Sequence, residues 1–150
     1  MFIPTGRLVA IAHIKGGEEY PGISGNVKFY QNIEGTMVEA SIFGLPQDNK
    51  EGSGIFAMHI HSGESCGGNN FADADGHYNP GGKPHPYHAG DLPPLFETQG
   101  HAFMVVLTGR FSAAEIIGRT VIIHRNVDDF TSQPSGNGGL MIACGTIEGA

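Results

Sequence analysis

Apolar residues recur along this chain with a period of two. Val27, Phe29 and Gln31 alternate with Lys28 and Tyr30, and Met37, Glu39 and Ser41 alternate with Val38, Ala40 and Ile42. That is the pattern of strands with one face turned to a core and one to water. No window sustains a helical repeat closed by an N-cap and a glycine stop. Strands are therefore predicted over 6–14, 24–32, 35–43, 54–61, 101–108, 119–124 and 140–147, with a further short one over 94–98. The turn from Asn32 to Gly35 reads as a short hairpin. Seven or eight short strands joined by turns predict an all-β sandwich or barrel.

Composition narrows the picture. A length of 150 residues suits one domain over 1–150, and 24 glycines with 9 prolines suit short strands and many turns. The net charge of −7 with only 8 lysines and arginines leaves no basic stripe for phosphates, which argues against a nucleic-acid partner. No apolar run reaches the roughly 18 residues needed to span a bilayer, so no membrane partner is expected. Residues 1–20 combine no basic region, apolar stretch and cleavage site. A cytoplasmic location is expected for the sequence as written, and an exported mature form also fits.

Two stretches, 62–93 and 125–139, resist a strand reading. A loop of about thirty residues inside a compact domain is expected to be functional. The first carries several histidines, so a bound metal would supply the order that packing does not. Cys66 lies in this glycine-rich loop and Cys144 in an apolar run. Two cysteines either pair once or stay as separate thiols.

His59 and His61 flank Ile60 in a predicted strand, which turns both imidazoles to one side of the sheet and Ile60 to the other. The loop then supplies His77, His85, His88 and Asp91 at spacings of eight, three and three, and His124 closes the apolar run VIIH. Imidazole and carboxylate together suit zinc, and imidazole suits copper as well.

The segments FAMHIHSGESCG, DGHYNP, HAGDLP, GRTVIIHRNVDD and GNGGLMIACGTI resemble, in order and spacing, the signatures of copper/zinc superoxide dismutases. The resemblance implies an eight-stranded Greek-key β-barrel, an immunoglobulin-like sandwich, with two long functional loops and the metals held outside the barrel. It implies copper on His59, His61, His77 and His124, and zinc on His77, His85, His88 and Asp91. His77 would be shared between the metals and would be the catalytic proton carrier. Asp128 would accept hydrogen bonds from one copper and one zinc histidine, and Cys66 would be joined to Cys144. The implied reaction is dismutation of the superoxide anion to oxygen and hydrogen peroxide, an antioxidant activity; a homodimer is left open. His13 and His101 match no ligand position, and Asp129 reads as an exposed loop acid.

Three departures from the family pattern stand out. Met141 occupies the position of the arginine that docks superoxide, leaving Arg125, Arg110 and Lys83 as the basic residues able to replace it. The loop 128–139 is short and uncharged after Asp129. The zinc loop is shortened between His85 and His88. Turnover below the family norm is expected on these grounds. The alternative is a dismutase-like copper/zinc-binding protein with little or no catalysis.

Overall fold

The alternating segments become β1 (Arg7–Gly16), β2 (Ser24–Gln31), β3 (Thr36–Phe43), β4 (Ile55–Phe56), β5 (Met58–His61), β6 (Leu95–Phe96), β7 (Ala102–Thr108), β8 (Thr120–His124) and β9 (Met141–Gly149). The computed structural model describes residues 4–47 and 54–150. Seven strands form one antiparallel sheet in the order β5-β8-β9-β1-β2-β3-β7, and β4 pairs with β6 in a small second sheet. The large sheet curls around the apolar side chains, in the manner of the predicted Greek-key barrel.

β2 and β3 pair from Ser24↔Phe43 to Gln31↔Thr36 without a slip. The intervening turn is closed by Asn32, whose Oδ1 accepts from the N–H groups of Glu34 and Gly35 at 2.8 and 3.1 Å. Inside the curl lie Ala10, Ala12 and Ile14 of β1, Val27 and Phe29 of β2, and Val38, Ala40 and Ile42 of β3. Those of β2 and β3 are residues that the period of two sets on one face. Burying a side chain of the size of Phe29 or Ile42 contributes roughly 1.5–3 kcal/mol, and together they set the register, since a slip of one residue would turn the whole set to water.

Among the described residues there are nine strands where seven or eight are predicted, because the run 54–61 changes neighbours at Ala57. Phe56 pairs with Leu95 on one side of the break, and Met58 pairs with Ile123 on the other. Ala57 itself donates to Asn126 O and accepts from His124 N. The predicted strand 94–98 contracts to two residues for the same reason, since only the short β4 is available to pair with it.

β5 is a sheet edge, and the loop that follows covers it. Isolated bridges join His59 to Asp91 and His61 to His77, and Ile60 donates to Gly90 O while accepting from Tyr78 N, both at 2.8 Å. A side chain at Gly90 would lie 2.4 Å from Ile60 O, so only glycine permits this approach. With the loop laid on the edge strand, every residue of β5 and β8 is buried. β8 accordingly carries the continuous apolar run Val121–Ile123, whereas β5 keeps a strict alternation of Met58 and Ile60 with His59 and His61. Ile60, Val121 and Ile123 join the main core. Ile122 belongs to a second cluster on the other side, with Ala74, Cys144, Cys66, Phe71 and Met141.

Cys66 and Cys144 form a disulfide across 78 residues of sequence, tying the loop to β9. Closing a loop of that length stabilises the fold by about 4 kcal/mol in the chain-entropy account. Replacing both cysteines by serine is expected to lower the unfolding free energy by about that amount, read as a shift of the urea midpoint. An unshifted midpoint would show that the loop is held by its other contacts alone.

Candidate metal centre

His59 and His61 leave β5 on the side away from Ile60, as the strand period requires, and stand opposite Ile122 and Thr120 of β8. His124 ends β8 on that same side. The covering loop brings His77, His85, His88 and Asp91 over them. His59, His61, His85, His88 and His124 are buried, and the His77 side chain is 4% exposed.

The hydrogen bonds assign a tautomer to most of these rings. His59 and His85 each donate from Nε2 to one carboxylate, Asp128, at 2.7 Å to Oδ2 and 2.8 Å to Oδ1. Their Nδ1 atoms are left bare, buried and without a hydrogen-bond partner. His61 donates from Nδ1 to the carbonyl of Asp75 at 2.7 Å, and His124 from Nδ1 to the carbonyl of Gly139 at 3.2 Å. Their Nε2 atoms consequently face each other at 3.3 Å as lone pairs, with no proton between them. His77 places Nδ1 2.8 Å from Asp91 Oδ1, while its Nε2 is a third buried atom without a partner. Buried polar atoms are almost always satisfied. Several unsatisfied acceptors aimed at one space fit a cation, which only lone pairs can bind.

Two groups of ligand atoms lie within 4.8 Å of one another, one from His59, His61, His77 and His124, the other from His59, His77, His85 and Asp91. His77 belongs to both. His88 stands at the margin of the second group, its Nδ1 3.1 Å from His77 Nδ1 and 3.3 Å from Asp91 Oδ1. His59 takes its place in that group because its ring lies 4.0 Å, centroid to centroid, from that of His77. His85 Nδ1 is 3.1 Å from Asp91 Oδ2, and the His88 N–H donates to the same oxygen at 3.0 Å. All four residues expected on the zinc side are thus adjacent, as are the four expected on the copper side.

Burial favours the neutral form of four of the rings. It lowers His61 to about 2, with help from neighbouring His124, and lowers His124 to about 3, with help from His59. His59 and His88 are lowered for the same leading reason. Burial alone would raise Asp128, but hydrogen bonds from His59, His85 and the Phe130 N–H outweigh it and hold the carboxylate ionised. Asp91 is likewise held low against its burial, chiefly by His77. His59, His61, His88 and His124 are therefore held neutral and Asp91 and Asp128 anionic, the protonation state in which such groups bind metals.

His13 and His101 lie outside the cluster. His13 is exposed on β1, and His101 stacks on Phe43 at 4.3 Å with its Nε2 3.3 Å from Ser41 Oγ. Asp129 is exposed, as expected, but also organises its turn by accepting from the N–H groups of Thr131 and Ser132 and from the Ser132 hydroxyl. Those bonds, led by the Ser132 hydroxyl, lower it to about 2. Sequence reading does not find the carbonyls of Asp75 and Gly139, because backbone groups leave no residue-type signal. It also passes over Gly136, at φ +74°, where a Cβ would come within 2.1 Å of Asp128 Oδ1 and 2.6 Å of His85 Nε2. The run PSGNGG was its only trace.

Comparison with known proteins places this geometry among relatives. Residues 23–147 match the family described as copper/zinc superoxide dismutase. A Cu-Zn superoxide dismutase of Legionella pneumophila is 34% identical over 136 residues, covering 85% of this chain and 80% of that protein. Superoxide dismutase 2 of the Cu-Zn type from Aquifex aeolicus is 31% identical over 140 residues, covering 83% and 79%. Among solved structures, Cu/Zn superoxide dismutase from Brucella abortus superposes with a TM-score of 0.77 at 27% identity, covering 93% of this chain and 99% of that one. A SOD-like protein from Bacillus subtilis gives 0.74 at 26%, covering 90% and 95%. A sequence match across most of the chain, on a fold shared with these structures, establishes that this protein belongs to the copper/zinc superoxide dismutase family.

Proposed function

We propose that this protein holds copper on His59, His61, His77 and His124 and zinc on His77, His85, His88 and Asp91, and that it dismutes superoxide at a reduced rate. The observation that carries this reading is the set of buried, unpartnered nitrogens, Nδ1 of His59, Nε2 of His77 and Nδ1 of His85. Bound there, copper would supply a one-electron couple that superoxide reduces and reoxidises in turn, and zinc a fixed Lewis-acid charge beside it.

The chain's own residues contribute position and protons. Asp128 orients the rings of His59 and His85 together. Asp75 O and Gly139 O do the same for His61 and His124. His77 has both nitrogens in the shared space, and its Nε2 is the atom able to carry a proton to the departing peroxide.

Met141 supports the reduced rate. It stands opposite His124 in the pairing of β8 with β9 and packs against the small cluster of Ala74, Ile122 and Cys144, a thioether in a place suited to a guanidinium. Among the basic residues able to replace it, Arg110 donates to the carbonyls of Pro86 and His88. Arg125 lies 5.6 Å over the Phe56 ring. Lys83 donates its backbone N–H to Asn79 in a loop turn. The same feature favours the second reading, a copper/zinc-binding protein with little turnover.

Loading with both metals is expected to give one copper and one zinc per chain by elemental analysis, and His124→Ala is expected to abolish stoichiometric copper while sparing zinc. Unchanged copper binding in that variant would remove His124 from the site.

Stability of the chelator-stripped protein is expected to fall with acid. His61 and His124 titrate near 2 and 3 in the fold against an ordinary 6.5. The unfolded chain therefore binds more protons between about pH 6.5 and 3, and stability is lost as pH drops through that window. Two such rings amount to about 4 kcal/mol between pH 7 and 5. Urea midpoints at the two pH values measure it, and equal midpoints would show that the rings are not buried neutral.

Met141→Arg is expected to raise the superoxide rate constant by roughly tenfold and to steepen its decrease with salt. Pulse radiolysis at two ionic strengths reads both. A native rate already near the diffusion limit would mean that another cation docks the anion.

A further inference from the structure

The turn from His85 to His88 places two expected zinc-side rings within four residues, and its backbone is gripped from outside by two side chains. Gln133, in the loop before β9, pairs with the His85 peptide in both directions. Its Oε1 accepts from the His85 N–H at 2.9 Å and its Nε2 donates to the His85 carbonyl at 2.7 Å, with a further bond to Thr131 O at 3.2 Å. Arg110, just after β7, donates from Nη1 to Pro86 O at 2.7 Å and to His88 O at 3.2 Å. Both side chains are exposed and add nothing to the core. Within the turn, Tyr87 N–H donates to Pro84 O at 2.8 Å and Asp91 N–H to His88 O at 3.1 Å. Ordering a proline- and glycine-rich loop costs about 1–2 kcal/mol per residue in backbone entropy, and the shortened turn has few apolar contacts to offset it.

We propose that Arg110 and Gln133 are positioning residues for the zinc-side ligands, a clamp on the His85–His88 backbone that converges the two Nδ1 atoms on Asp91. The proposal rests on the reading of His85, His88 and Asp91 as zinc ligands. It differs from the part played by Asp128, which holds rings and reaches His59 as well. The clamp holds peptides and reaches only the zinc side. Gln133 ties the turn to the segment that follows Asp128, and Arg110 ties it to the end of β7, so the turn is fixed to two elements that do not themselves carry zinc ligands. A lysine is a poor replacement for Arg110: both bonds leave from Nη1, whose two N–H groups are fixed in direction by the guanidinium plane, whereas an ammonium rotates freely at the end of a flexible stem.

The test uses the full chain with Arg110→Lys and Gln133→Leu. Zinc and copper dissociation constants come from competition with chelators of known affinity. Amide hydrogen exchange of Tyr87 and His88 comes from the chelator-stripped protein. Loss of outer partners of metal ligands costs about 10–100-fold in affinity. The expected result is a loss of that size for zinc in each variant, with copper affinity within about threefold of the unmodified chain, and faster exchange at Tyr87 and His88. Gln133→Glu, which keeps the acceptor and loses the donor, is expected to fall between. Unchanged zinc affinity and unchanged exchange in both variants would overturn the clamp, as would equal losses for both metals accompanied by a lowered urea midpoint. If the unmodified chain takes up no zinc, the ligand reading fails by itself. The exchange rates still decide whether Arg110 and Gln133 hold the turn.

Discussion

The pair of hydrogen bonds by which His59 and His85 donate to Asp128 decides the chemistry of the cluster. One carboxylate fixes the protonated nitrogen of two rings from different parts of the chain, one on a strand and one in the covering loop. With Nε2 committed, each ring has only Nδ1 left, and both Nδ1 atoms point into the same buried space. Asp128 holds this position through the Phe130 N–H at 2.8 Å and through the approach of the chain at Gly136, where no side chain fits. Were Asp128 protonated it would lose an acceptor, and one ring would be free to take the other tautomer. Its depressed titration is therefore part of the structure of the site.

Gathering so many lone pairs out of water is unfavourable unless something compensates. Part of the compensation comes from the scaffold. The curled sheet is complete without the cluster, with its main core inside the curl, and the loop carrying His77, His85, His88 and Asp91 is pinned by the Cys66–Cys144 disulfide and by bridges to β5. The remainder is available from a cation, since metal binding converts adjacent acceptors from a repulsive set into an attractive one. A rigid barrel beneath and tethered loops above allow the chain to hold this arrangement at a sheet edge that would otherwise be exposed to pairing with other chains.

On the proposed reading Met141 separates holding metals from turning over an anion. On that reading the histidine cluster depends on burial and tautomers, whereas capture of superoxide would depend on cationic groups at the opening, and the two are built from different residues. Family membership speaks to the first set through residues 23–147. Met141, packed against Ala74, Ile122 and Cys144, stands on the proposed reading at the place of the second.

Much of this was legible in the residues themselves. The period of two in β2 and β3 identified their buried faces, because a strand allows only two side-chain directions. The motif around His59 and His61 placed both rings on one side for the same reason, and the ordered segments carried the family. The break at Ala57 was not legible, because it depends on which strands are available as partners on either side of it. The hold of Gln133 and Arg110 on the His85–His88 turn was invisible as well, since it joins side chains to carbonyls that any residue would possess. Sequence by itself determined the residue types, the strand faces and the metal-binding chemistry, which are local properties of side chains and backbone period. Only the tertiary structure decided which nitrogen of each ring is bare, because a tautomer is set by whatever acceptor the fold brings to the other nitrogen.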